Sequence, residues 1–177
     1  RDRDVTGVQT CALPIFMRIA ICPGSFDPVT LGHMDIISRA CKIFDKVIVA
    51  VSVNPEKSFS FSREERVELL RIATAEAGLN VEIDNVDGLL AYYAKDKGAS
   101  AIVKGLRAMT DFEYEFQMAL TNKKLNPALE TIFLATSAEN MFLSSSMVKQ
   151  VAGFGGDISH FVPKCISQTI IERLSTG

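Results

Sequence analysis

From Met17 onward, short runs of apolar, often β-branched residues alternate with longer stretches in which apolar side chains recur every three or four positions. An unbroken apolar run of this kind reads as a strand covered on both faces, and the 3.6-residue period reads as an amphipathic helix. The pattern predicts strands over Arg18 to Cys22, Lys46 to Val53, Asn80 to Ile83, Ser100 to Lys104 and Thr131 to Ala135. Between them, Ile36, Ile37, Ala40, Ile43 and Phe44 predict a helix over Leu31 to Phe44. Val67, Leu70, Ile72, Ala73 and Ala77 predict another over Arg63 to Ala77. Ser62 and Glu65 have the spacing of a capping box, and Gly78 stands where the second helix must stop. Further helices are expected over Leu89 to Lys97, Phe112 to Leu125, Ser145 to Val151 and Lys164 to Leu174. Tyr92 and Tyr93 read as core in preference to a wall of the ligand site.

Strand and helix in alternation imply an α/β fold, and right-handed crossovers turn that alternation into a doubly wound parallel sheet. Ligands of such sheets bind beyond the carboxyl ends of the strands, so the loops after the strands are where chemistry is expected. Arg1 to Phe16, RDRDVTGVQTCALPIF, has mixed charge and no continuous apolar stretch, which excludes a signal peptide. It reads as translated adapter sequence ahead of a start at Met17. That makes 1–16 a non-native leader, expected to be disordered, and 17–177 a single domain.

With 47% apolar and 23% charged residues and a net charge of −2, the 177-residue chain has the composition of a compact domain and no global attraction for nucleic acid or anionic membrane. No apolar run reaches the ~18 to 20 residues of a membrane span, so a cytoplasmic protein is expected. Cys11, Cys22, Cys41 and Cys165 have no paired spacing, which argues for free thiols rather than a disulfide framework or zinc site. Cys22 and Cys41 read as small buried hydrophobes rather than nucleophiles.

The loop after the first strand is the most informative segment. It runs Pro23-Gly24-Ser25-Phe26-Asp27-Pro28-Val29-Thr30-Leu31-Gly32-His33. Its prolines and glycines fix an unusual backbone, Thr30 can cap the next helix, and the free amides of that helix's first turn can hold an anion. It is neither the dinucleotide fingerprint nor the Walker loop. The second strand is followed by Asn54-Pro55-Glu56-Lys57-Ser58, the fourth by Gly105-Leu106-Arg107-Ala108 and then Asp111-Phe112-Glu113-Tyr114-Glu115, and the fifth by a stretch ending in Phe142-Leu143-Ser144-Ser145-Ser146.

PGSFDPVTLGH resembles the T-x-G-H signature of the nucleotidyltransferase superfamily. Together with KGLRA, DFEYE and SSSMVK it resembles the phosphopantetheine adenylyltransferases, over essentially all of Met17 to Leu174. The resemblance implies a Rossmann-like fold with a five-stranded parallel sheet. It implies transfer of the adenylyl group of ATP to 4′-phosphopantetheine, giving dephospho-coenzyme A and pyrophosphate, a late step of coenzyme A biosynthesis. It also implies a homohexamer and feedback by coenzyme A.

Carried over by position, the family pattern makes His33 the transition-state stabiliser and Ser25 a contact to both substrates. Lys57, Leu90 and Lys104 would line the phosphopantetheine site. Phe26, Gly105, Leu106, Arg107, Glu115 and the run Asn140, Met141, Phe142, Leu143, Ser144, Ser145 and Ser146 would join Ser25 and His33 in binding ATP. Several family members carry Thr at the position of Ser25, which keeps a hydroxyl, and Arg at that of Lys104, which replaces a point charge by a fork. No carboxylate cage for a metal is evident, so Mg2+ is expected to arrive with ATP. The competing readings are another nucleotidylyltransferase of the same fold, acting on nicotinate mononucleotide, a polyol phosphate or choline phosphate, and a nucleotide-binding module without turnover.

Overall fold

The computed structural model describes residues 17–52, 58–107 and 109–175. The sequence elements appear in the expected order: β1 (Ile19–Gly24), α1 (Leu31–Ile43), β2 (Lys46–Ser52), α2 (Arg63–Glu76), β3 (Glu82–Val86), α3 (Leu90–Asp96), β4 (Ala101–Leu106), α4 (Met109–Leu125), β5 (Glu130–Ala135), α5 (Ser145–Gly153) and α6 (Lys164–Ser175). The five strands form one parallel sheet in the order β3-β2-β1-β4-β5. This is the doubly wound arrangement the alternation implied.

Alternation within each strand divides the apolar residues between two cores. Ala20, Cys22, Val47, Val49, Val51, Ala101 and Val103 face a larger core with Ile37 of α1, Leu70 of α2, Val148 of α5 and Ile166 of α6. Ile21, Ile48, Ala50 and Ile102 face the other way, onto Ala91 and Ala94 of α3. Covering both faces explains why β2 and the start of β4 are apolar at successive positions. Cys22 is buried among these side chains, and burial pushes its thiol up to about 12, which excludes a ready thiolate. Cys41 is half-buried against the same core, and Cys165 is exposed. Among the described residues no helix is long and apolar enough to cross a membrane.

Three details depart from the sequence expectation. The third strand lies at Glu82–Val86 instead of Asn80 to Ile83. It is an edge strand whose carboxylates are paired, Glu82 with Lys46 at 2.6 Å and Asp84 with Lys97 at 2.6 Å, so the polar residues that disguised it are its fastenings. On α2, Ile72 faces outward and Arg66 takes a buried position beside Val67, Leu69 and Leu70. Tyr92 is exposed, while Tyr93 is half-buried and donates its hydroxyl proton to Asp84 at 2.8 Å.

The topology opens one crevice. β1 pairs with β2 as far as Gly24, and β4 pairs with β5 as far as Leu106. Between β1 and β4 the ladder covers only Ala20–Ala101 and Ile21–Ile102. Strand order reverses at this same boundary, so the carboxyl ends of β1 and β4 part where a doubly wound sheet receives its ligand.

Candidate active site

The loop leaving β1 is shaped by its own side chains. Phe26 has φ 49°, and its ring is folded under Gly24 so closely that a Cβ there would stand 2.9 Å from Phe26 Cζ. Only glycine fits. The same ring meets the imidazole of His33 edge-on, with centroids 5.1 Å apart. Thr30 then caps α1: its Oγ1 accepts from the backbone N–H of His33 at 3.3 Å, and its own N–H donates to His33 Nδ1 at 3.0 Å. This is a capping box in which histidine stands where glutamate or glutamine is usual.

The box fixes the chemistry of the ring. An Nδ1 that accepts a hydrogen bond carries no proton, so the proton of the neutral imidazole is on Nε2. Burial and the neighbouring Arg107 guanidinium lower the His33 pKa to about 4. At neutral pH His33 is therefore an uncharged Nε2–H donor, held at the N-terminus of α1.

The loops around this point are joined in a chain of contacts. Arg107, just past β4, donates to the carbonyl of Leu143 at 2.9 Å. Gly105 lies against α1, where a Cβ would stand 2.8 Å from Ile36 Cγ1. Asn140, bonded through Nδ2 to Ser137 Oγ at 2.9 Å, lies beside Gly32. Leu143 is buried, whereas Met141 and Phe142 face outward and Phe142 meets Phe161 edge-on. Ser144 caps α5 by accepting from the N–H of Met147, Ser145 donates to the carbonyl of Pro28 at 2.8 Å, and Ser146 is exposed. Two helix N-termini, those of α1 and α5, thus meet at the crevice.

Lys104 and Glu115 form an ion pair at 3.1 Å, their side chains 25% and 22% exposed. Sequence reasoning set them on different substrates; the fold makes them neighbours. Leu90 begins α3 and packs on the second core. Lys57 and the leader lie outside the described residues.

Sequence reasoning missed three residues that hold the loops. Arg66 is 2% exposed, donates to the carbonyls of Ser25 at 2.7 Å and Ser52 at 3.4 Å, and stacks on Phe59 at 4.2 Å. Its signal was available, since Arg66, Leu70 and Ala73 fall on one helical stripe. Buried Asp27 accepts from the N–H groups of Ser60 and Phe61 and from Lys149 Nζ. Lys149 is 122 residues away in sequence, and only the fold brings it there.

Residues 21–151 match the model of the cytidylyltransferase-like family. A protein from Caldanaerobacter subterraneus subsp. tengcongensis named phosphopantetheine adenylyltransferase is 59% identical over 157 residues, covering 89% of this chain and 98% of its own. One of the same name from Heliobacterium modesticaldum is 52% identical, covering 89% and 93%. The chain belongs to the phosphopantetheine adenylyltransferase family.

This family membership makes the protein a nucleotidyltransferase, and solved structures share its fold. A bifunctional NMN adenylyltransferase/ADP ribose pyrophosphatase from Francisella tularensis superposes with a TM-score of 0.65 at 17% identity, over 91% of this chain and 50% of that one. The Plasmodium falciparum nicotinic acid mononucleotide adenylyltransferase complexed with NaAD gives 0.63 at 13%, over 90% and 95%. At such identities these neighbours speak for the fold alone.

Of the positions the adenylyltransferase pattern marks, Phe26, His33, Arg107, Asn140 and Leu143 are linked by the contacts above, with Ser25 held at its carbonyl by Arg66 and Ser145 tied to Pro28. Among the described residues no three of His, Cys, Asp and Glu are grouped to hold a metal ion. Asp27 and Glu115 are already engaged by lysines.

Proposed function

We propose that the protein transfers the adenylyl group of ATP to 4′-phosphopantetheine by a single in-line displacement. The observation that carries this reading is the Thr30–His33 box, which holds a neutral donor at the N-terminus of α1, beside Arg107 at the end of β4. A phosphate oxygen of phosphopantetheine attacks the α-phosphorus of ATP. The bond from that phosphorus to the bridging oxygen breaks, and pyrophosphate leaves with the electron pair.

The nucleophile is a phosphate monoester with a second pKa of about 6, so it is mostly dianionic at pH 7 and needs no general base. What the reaction requires is alignment of two anions and donors for the charge that builds on the transferred group. His33 Nε2–H and the N–H of Gly32 serve the α-phosphate, and the first amides of α5 with the hydroxyls of Ser144 and Ser146 serve the leaving phosphates, Ser145 taking part through its backbone because its hydroxyl donates to Pro28. Ser25 contacts both substrates. Phe26, Gly105, Leu106, Arg107, Glu115 and the run from Asn140 to Leu143 complete the nucleotide site, while Lys57, Leu90 and Lys104 receive phosphopantetheine. ATP enters as its magnesium complex.

The assembled form in this reading is a cytoplasmic homohexamer inhibited by coenzyme A in the same pocket. The exposed apolar side chains on two sides of α4, Tyr114 with Met118 and Phe116 with Leu120, support it by giving surface for assembly to cover. Pyrophosphate release with ATP and 4′-phosphopantetheine, against CTP and nicotinate mononucleotide as alternatives, tests the substrate assignment. Turnover with either alternative at the rate of the proposed pair would replace it.

A further inference from the structure

We propose that Asp27 and Lys149 are a positioning pair for this adenylyl transfer, holding the N-terminus of α5 in register with that of α1 without touching either substrate. The proposal rests on the functional reading above and goes beyond it in naming what sets the geometry.

Asp27 is 4% exposed, and its carboxylate is fully engaged: Lys149 Nζ at 2.7 Å, Phe61 N–H at 2.9 Å and Ser60 N–H at 3.2 Å. Three donors on one buried carboxylate leave it neither a base nor a metal ligand. With Asp27 buried and the Lys149 side chain 26% exposed, the pair gives back much of its Coulomb energy in desolvation, so stability alone is a poor account of charge at this place. Geometry is a better one.

Ser145 and Lys149 are four residues apart on α5 and therefore share one face of the helix. That face grips two consecutive residues of the β1–α1 loop: Ser145 Oγ bonds the carbonyl of Pro28 at 2.8 Å, and Lys149 bonds Asp27. One tie would leave α5 a pivot. Two ties a turn apart fix both its rotation and its advance toward the crevice. Asp27 and Pro28 immediately precede Val29 and Thr30, the cap of α1, so the grip carries to His33 through a short, buried stretch. The same carboxylate also holds the Ser60–Phe61 segment ahead of α2. The pair thus sets the spacing between the donor at the α-phosphate and the helix end that faces the leaving group.

The test compares wild type, Lys149→Met, Lys149→Arg and Asp27→Asn in pyrophosphate release, with melting temperature recorded for each. For Lys149→Met, kcat should fall about tenfold to a hundredfold, the effect expected of a misplacement on the order of 1 Å. KM for phosphopantetheine should stay within about threefold, since no contact to it is lost. Lys149→Arg, which keeps the charge, should recover most of kcat. Should Lys149→Met fail to fold, Asp27→Asn, which preserves volume and one acceptor oxygen, is read by the same split. A variant that melts lower but keeps the wild-type kcat would make the pair merely structural and overturn the proposal, as would Lys149→Arg performing no better than Lys149→Met. Absence of pyrophosphate release by the wild type would instead overturn the functional reading, and the pair's role with it.

Discussion

Thr30 donates its backbone N–H to Nδ1 of His33 at 3.0 Å, and that one bond decides which ring nitrogen carries the proton. The side chain that closes the Thr30 capping box is therefore also the one proposed as the donor in the transfer. Replacing His33 by alanine should lower kcat roughly 10²- to 10³-fold, about 2.7 to 4 kcal/mol, with only a modest loss of ATP affinity. His33→Glu separates the two roles, because glutamate suits the capping box but has no N–H to donate. Its melting temperature should stay near wild type while kcat falls at least as far as for alanine. Equal turnover by wild type and His33→Glu would remove His33 from the chemistry.

The same residue makes stability depend on pH. With a folded pKa of about 4 against an ordinary 6.5, His33 binds fewer protons in the folded than in the unfolded chain between those values. Its contribution is complete above pH 6.5 and is lost as the pH falls toward 4. Urea unfolding at pH 7, 6 and 5 should therefore show wild type losing stability faster than His33→Gln. A constant difference between the two would mean that the ring titrates normally.

Much of this could be read from the chain, and what could not has physical reasons. β1, β2 and β4 were legible because a strand buried on both faces has no choice but continuous apolar residues. The third strand was legible but its bounds were not, because at a sheet edge Glu82 and Asp84 are accommodated by Lys46 and Lys97, which the apolar pattern does not include. Thr30 and His33 stood out through their spacing. The protonation state of the ring did not, since it depends on burial and on an arginine that reaches the site from β4. Asp27 was visible only as part of a motif, because its partner arrives from another helix.

Lys104 and Glu115, 3.1 Å apart, pose a sharper question than either alone. Lys104→Ala should mainly weaken phosphopantetheine binding and Arg107→Ala mainly ATP binding, each measured by calorimetry with one substrate at a time. Glu115→Gln should weaken ATP. If Glu115 were only a counter-ion, ATP affinity would hold and phosphopantetheine would bind tighter, as Lys104 lost its internal partner.

Gly105 permits the close approach of α1 to β4. A methyl group at this position would meet Ile36 Cγ1 at 2.8 Å, so Gly105→Ala should cost about 1 to 3 kcal/mol of stability through overpacking. Adding Ile36→Val should return part of that loss in chemical denaturation. Failure of the second substitution to help would place the strain elsewhere.

In the proposed reaction the crevice aligns two phosphates for one direct displacement, with His33 as a donor and never a nucleophile. The stereochemistry at the α-phosphorus tests it most directly, because a single in-line attack inverts configuration and a covalent nucleotidyl-enzyme, formed and consumed by two such attacks, restores it. With ATP made chiral at the α-phosphorus, the dephospho-coenzyme A formed should show inversion. Net retention, or a nucleotide trapped on His33, would contradict the mechanism.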